Sequence, residues 1–194
     1  MYNQPPGVQK KNNTVLWVVL GALGLGGCGC LIAVGAAVLF PVFSQARLAA
    51  IRTKALSNVK RSALSVIMYS VDNNDKYPVG EHWMDAVQSY SQDPSVFRSP
   101  LAVKEGHDAY GFAFRKELSG RKSTQVTDPS QWLMVFDSTI LTRNACSGVE
   151  TLPVPGRYGA GSRRSDVAAF ADGHAKTLPD STVELIGKPG SIYK

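Results

Sequence analysis

The chain has 194 residues, a formal net charge of +6 and 44% hydrophobic residues. Only Lys10 and Lys11 of the basic residues precede a long apolar run, so nineteen basic residues face fifteen acidic ones beyond it, without a long basic block. That balance suits a solvated surface better than a dedicated nucleic-acid groove. With Cys28 and Cys30 inside the apolar run, Cys146 stands alone after it, which excludes a disulfide within the soluble part.

Residues 1–14 read as a polar, flexible tail with a Pro-Pro pair. From Val15 to Phe43 the chain carries no charge, and this run exceeds the roughly 20 residues a helix needs to cross a bilayer core. It predicts a transmembrane helix over 15–43. Small residues fall on two ladders within it, Ala22–Gly26–Cys30 and Gly29–Ala33–Ala37. Four-residue spacing of this kind lets another helix approach closely in lipid, although glycine and alanine are also simply common in membrane helices. Leu25-Gly26-Gly27-Cys28 follows two lysines in the manner of a lipoprotein box, so lipidation at Cys28 stands against a plain pair of membrane-buried small residues. Pro41 removes a helical hydrogen bond and predicts a kink or break near the end of the span.

Residues 44–194 read as one soluble domain. Leu48, Ile51, Ala55, Val59, Ala63, Val66 or Ile67, and Val71 recur at three- or four-residue spacing, which predicts an amphipathic helix over 44–72 with one stripe to be covered. Asp72-Asn73-Asn74-Asp75 ends it. A sheet region follows over 77–178. Glu81 to Tyr90 predicts a short helix burying Trp83, Val87 and Tyr90, while Tyr110 to Phe114 and Trp132 to Phe136 predict strands. In Asp166 to Leu178 two apolar arms flank Asp172-Gly173, a pairing that suits a tight hairpin because both residues tolerate positive φ. Residues 179–194 form a tail with no clear element.

Three candidate sites were weighed on their chemistry. Asp172-Gly173-His174 could be a metal or catalytic pair, or a turn whose Asp-Gly serves the backbone; one aspartate and one histidine cannot fill even a tetrahedral zinc site. Asp166, Asp172 and Asp180 could contribute to a calcium site, which needs about six oxygen ligands. Arg157, Arg163 and Arg164 form the densest basic patch and could touch nucleic-acid phosphates, or be a solvated loop. Gly120-Arg121-Lys122-Ser123-Thr124 and Gly159-Ala160-Gly161-Ser162 lack the glycines of a phosphate loop and a serine elbow. His82, His107 and His174 fit no zinc motif.

The segments AAVLFPVFSQAR and ALSNVKRSALSVIMYSVDNNDKYP, followed by VFRSPLA, YGFAF, PSQWLMVFDS and RYGAGSRRSDVAAFADGHAKTLP, resemble in order the type IV pilin-like and type II secretion pseudopilin-like families of bacteria. The resemblance covers most of Ala36 to Leu178. It implies an α+β fold in which a long N-terminal helix, membrane-spanning in its inner half and amphipathic in its outer half, packs on a small antiparallel sheet. Departures are also clear. Val19 and Gly24 stand where those families carry the leader glycine and the glutamate of the mature helix, Ser99 replaces a cysteine, and Tyr158 replaces a histidine.

The expected function is that of a membrane-anchored, pilin- or pseudopilin-like structural protein, a minor component of a type IV pilus or type II secretion assembly, without catalytic activity. The alternative is a stand-alone surface-anchored module binding DNA, glycan or protein. The expected partners are the membrane and other pilin-like subunits, or further copies of the chain, meeting through the N-terminal helix. No cofactor is expected, calcium aside. Basic residues after the run would place the domain in the cytoplasm, but long domains translocate largely regardless of charge; the resemblance implies a single pass through the bacterial inner membrane with the domain outside.

Overall fold

The structure, a computed structural model, describes residues 14–104, 106, 109–159, 161, 163–186, 191 and 193, with side chains from Val42 onward. It divides into two compact units, Met1–Ala46 and Arg47–Lys194. Of the first, the described part belongs to helix α1 (Thr14–Asp72). Ala22, Gly26, Cys28, Gly29, Cys30, Ala33, Ala37 and Pro41 lie outside the residues whose side chains are described. No helix among the described residues is long and apolar enough to cross a membrane, and the run expected to do so lies, except for Val42 and Phe43, outside the residues whose side chains are described.

In the second unit the outer part of α1 buries Ala55, Val59, Ala63 and Val66 completely, with Ile51 and Ile67 partly covered at its margins. Alanine at two of these positions leaves no bulk between helix and sheet. The stripe also holds two polar residues that sequence periodicity leaves out. Asn58 Nδ2 donates to the carbonyls of Arg98 (3.1 Å) and Ser95 (3.4 Å), and Ser62 Oγ donates to that of Val96 (3.0 Å). They tie the helix to backbone acceptors in and just after the Pro94–Phe97 turn. Val71 does not belong to the stripe: it is 70% exposed. Five positions beyond Val66, it is rotated about 140° around the helix. The helix stops as expected, because Asn74 and Asp75 both adopt positive φ (57° and 61°).

The short helix α2 (Trp83–Val87), flanked by 3₁₀ turns, buries Trp83, Met84 and Val87, whereas Tyr90 stays half-buried. Trp83 Nε1 donates to the Ala145 carbonyl at 3.0 Å, which satisfies the one polar atom of a fully buried ring.

Five strands follow: β1 (Phe112–Arg115), β2 (Leu133–Asp137), β3 (Cys146–Ser147), β4 (Ser165–Phe170) and β5 (Ala175–Pro179), in the spatial order β3-β1-β2-β4-β5. The sheet is mixed and not purely antiparallel as expected, since β1 pairs parallel to β3 while the other three pairings are antiparallel. The β4–β5 hairpin holds its predicted place, but only Gly173 takes positive φ (88°). Asp172 instead caps the turn, its Oδ1 accepting from the His174 N–H at 3.1 Å. The turn is therefore wider than the two-residue form that Asp-Gly suggests.

Every residue of β1, β2 and β4 is buried, because the sheet is covered on both faces. One face, with Phe112, Phe114, Met134, Val167 and Ala169, meets α1 and α2. The other, with Ala113, Phe136, Ala168, Phe170 and Leu178, is covered by Leu152 and by Val183 and Ile186 in and after α3 (Asp180–Val183). The segment expected to be an uncommitted tail thus completes a second core.

Candidate functional site: a buried polar network beside an arginine cleft

β2 is a central strand of almost unbroken apolar sequence, yet its last residue, Asp137, is an aspartate with no exposed surface. Burying a carboxylate without partners is costly, so its surroundings must supply donors. Val167 N–H on the neighbouring strand donates to Oδ2 at 2.8 Å, and Ser99 Oγ donates to Oδ1 at 2.9 Å. Arg157, whose side chain is only 7% exposed, brings its Nη1 to 3.6 Å from Oδ1. Ser99 and the Tyr158 hydroxyl are 2.6 Å apart. Since Ser99 spends its one proton on Asp137, Tyr158 is the donor of that pair. Burial, and next the charge of Asp137, push the Tyr158 phenol far above its ordinary range and keep it a donor.

Asp166, the second residue of β4, completes the group. Its Oδ1 accepts from the Arg157 backbone N–H at 3.0 Å, while its Oδ2 is buried with no hydrogen-bond partner among the described residues. Burial first and the charge of Asp137 second raise its pKa to about 8. Burial raises the pKa of Asp137 to about 6, against the opposing pull of Arg157, the Val167 N–H and the Ser99 hydroxyl. The pair therefore binds protons more tightly than two free aspartates would, with Asp166 the more strongly shifted and Asp137 the one opposite Arg157. The network joins the loop after Phe97, the end of β2, the start of β4 and the loop before it. With Ser99 and Asp137 wholly enclosed, its chemistry is that of a clamp.

No family model, no curated protein and no solved structure matches this chain.

The candidate residues read from the sequence are partly brought together. Arg157 faces inward and is removed from the proposed nucleic-acid patch, because Asp137 needs its charge. Arg163 remains exposed and Arg164 half-buried, its Nη1 donating to the Gly156 carbonyl at 3.4 Å. The calcium trio does not assemble. Asp166 pairs in register with Leu178 at the open end of the hairpin, whereas Asp172 sits beyond the Ala169–Ala175 pair at its tip. Asp180 Oδ1 accepts the Gly156 N–H at 3.0 Å. Among the described residues no three acid, histidine or cysteine side chains lie close enough to hold a metal. His174 stacks on Phe170 (4.2 Å between centroids) and its Nδ1 lies 2.6 Å from Asp172 Oδ1, so that pair belongs to the turn. Cys146 is a free, half-buried thiol whose pKa burial raises, the opposite of an activated nucleophile.

Sequence reasoning noted Ser99 and Tyr158 as separate departures from a family pattern; in space they are one hydrogen-bonded pair. It passed over Asp137, whose signal was an aspartate closing a strand otherwise fit only for the interior. It also did not connect Arg52 on α1 with Arg163 and Arg164, although these three line one cleft of about 360 Å³.

Proposed function

We propose that this chain is a membrane-anchored, pilin-like structural protein, non-catalytic, single-pass in the bacterial inner membrane, and a minor component of a type IV pilus or type II secretion assembly. The observation that carries this reading is the two-sided outer half of α1. One stripe is covered by the protein's own sheet, and a second line, Leu64, Met68 and Val71, is apolar at spacings of four and three yet 41%, 51% and 70% exposed. An ordinary surface helix is polar on the side away from its core. A second apolar line suits contact with the same helix of a neighbouring subunit, with the run 15–43 as the anchor. The ordered motifs add to it: the helical segment falls on α1, PSQWLMVFDS closes on β2, and AFADGH spans the end of β4 and its turn.

The test is a photo-crosslinking amino acid at Met68 in the full chain, in native membranes. Adducts between two copies or with another pilin-like subunit are expected. A chain that alkaline carbonate strips from the membrane, or that gives adducts at Lys104 as readily as at Met68, would remove the reading. The alternative, a surface-anchored module for DNA, glycan or protein, draws on the Arg52–Arg163–Arg164 cleft.

A further inference from the structure

We propose that this cleft binds the phosphodiester headgroup of an anionic membrane lipid of the phosphatidylglycerol type. The inference rests on the membrane-anchored reading above and gives it a second point of attachment.

Three arginines from two separate parts of the chain line the cleft: Arg52 from α1, and Arg163 and Arg164 from the segment entering β4. The Thr177 and Ser181 hydroxyls stand beside them in the same lining. Arg52 and Arg163 are exposed, and among the described residues neither forms an ion pair. The one carboxylate present, Asp180, is drawn back by the Gly156 N–H that its Oδ1 accepts. The cleft thus offers an excess of two positive charges with hydroxyl donors, in a space of about 360 Å³. Guanidinium forks match phosphate oxygens in geometry as well as charge.

Placement chooses between sources of phosphate. The β4–β5 hairpin lies along α1. At its tip, a Cβ on Gly173 would sit 3.2 Å from Ile67 Cδ1 and 3.5 Å from Leu64 Cδ2, while at its open end Arg52 meets Arg164 and Pro179 across the cleft. The cleft is therefore at the end of the domain that holds the first residues of α1 within it, and Arg52 comes nine residues after Phe43, the last residue of the apolar run, in the sequence. Arginines just beyond a membrane span are placed to meet anionic headgroups.

The experiment uses the purified full chain in a maltoside detergent, with thermal unfolding as the readout. Submicellar dihexanoyl phosphatidylglycerol should raise the midpoint, while dihexanoyl phosphatidylcholine should not. Arg52→Gln and Arg163→Gln, both at exposed positions, should each weaken the half-maximal concentration about fivefold; Lys104→Gln should leave it unchanged. Retention of the phosphatidylglycerol effect in the Arg52→Gln, Arg163→Gln double variant would overturn the proposal. So would an equal rise with inorganic phosphate, or a larger one with single-stranded DNA that displaces the lipid. This assay does not require the anchor to span a bilayer, and carbonate extraction of membranes tests the anchor separately, so the two can fail independently.

Discussion

Asp137 and Asp166 show how two residues of one type take different roles from their surroundings. Both carboxyls bind protons more tightly in the folded chain than in the unfolded one. The folded state then holds more protons than the unfolded between the ordinary carboxylate range near 4 and about 8, so stability is greatest below that window and falls as pH rises through it. Asp166→Asn, which cannot ionise, should flatten the fall in unfolding temperature between pH 6 and 9. A slope equal to that of the parent chain would show that Asp166 does not hold the proton. Asp137→Ala should cost about 3–5 kcal/mol in urea unfolding, since it removes the carboxylate that opposes the buried Arg157 charge. Little of this was legible in sequence. Arg157 sits beside Arg163 and Arg164 in a run that reads as one basic surface, and only the third dimension shows that a buried aspartate twenty residues earlier claims it.

At the scale of elements, the apolar pattern of the sequence marked the outer part of α1 and α2 by spacing, β1 and β2 by unbroken runs, and the β4–β5 hairpin by the two arms flanking its Asp172-Gly173 turn. It missed β3, which is two residues long within a glycine-rich loop and pairs in parallel with a strand more than thirty residues away. So short a strand has no period to read. It also placed Val71 in the buried stripe and left out Asn58 and Ser62, since hydropathy cannot foresee that a helix will answer the open carbonyls of a neighbouring turn. Asn58→Ala should therefore destabilise the domain by about 1–3 kcal/mol, removing the side-chain donor that ties α1 to the Arg98 and Ser95 carbonyls. Val71→Ser should change stability by less than about 0.5 kcal/mol. Comparable losses for both variants, measured by chemical denaturation, would contradict the assignment of faces.

Across the whole molecule, the sheet is an inner layer with a core on each side, and the second core depends on residues after β5. Ile186→Ala should cost about 2 kcal/mol or more, as expected for a core position and not for a trailing segment. Sequence showed one helix on one sheet; the second cover went unseen because its residues are scattered through loops without repeat.

The chain order of these layers has a consequence during synthesis. The stripe of α1 is complete once Val66 has been made, but β4, which pairs with β2 beneath it, ends only at Phe170. At about 5–20 residues per second, roughly a hundred further residues take on the order of 5–20 s. Throughout that interval the helix is an adhesive surface without its cover, next to an apolar run with the same tendency. Partition of the nascent helix into lipid, or shielding by a chaperone, is then a condition of reaching the native state, and a translation slowdown between Asp72 and Ser165 would lengthen the exposure.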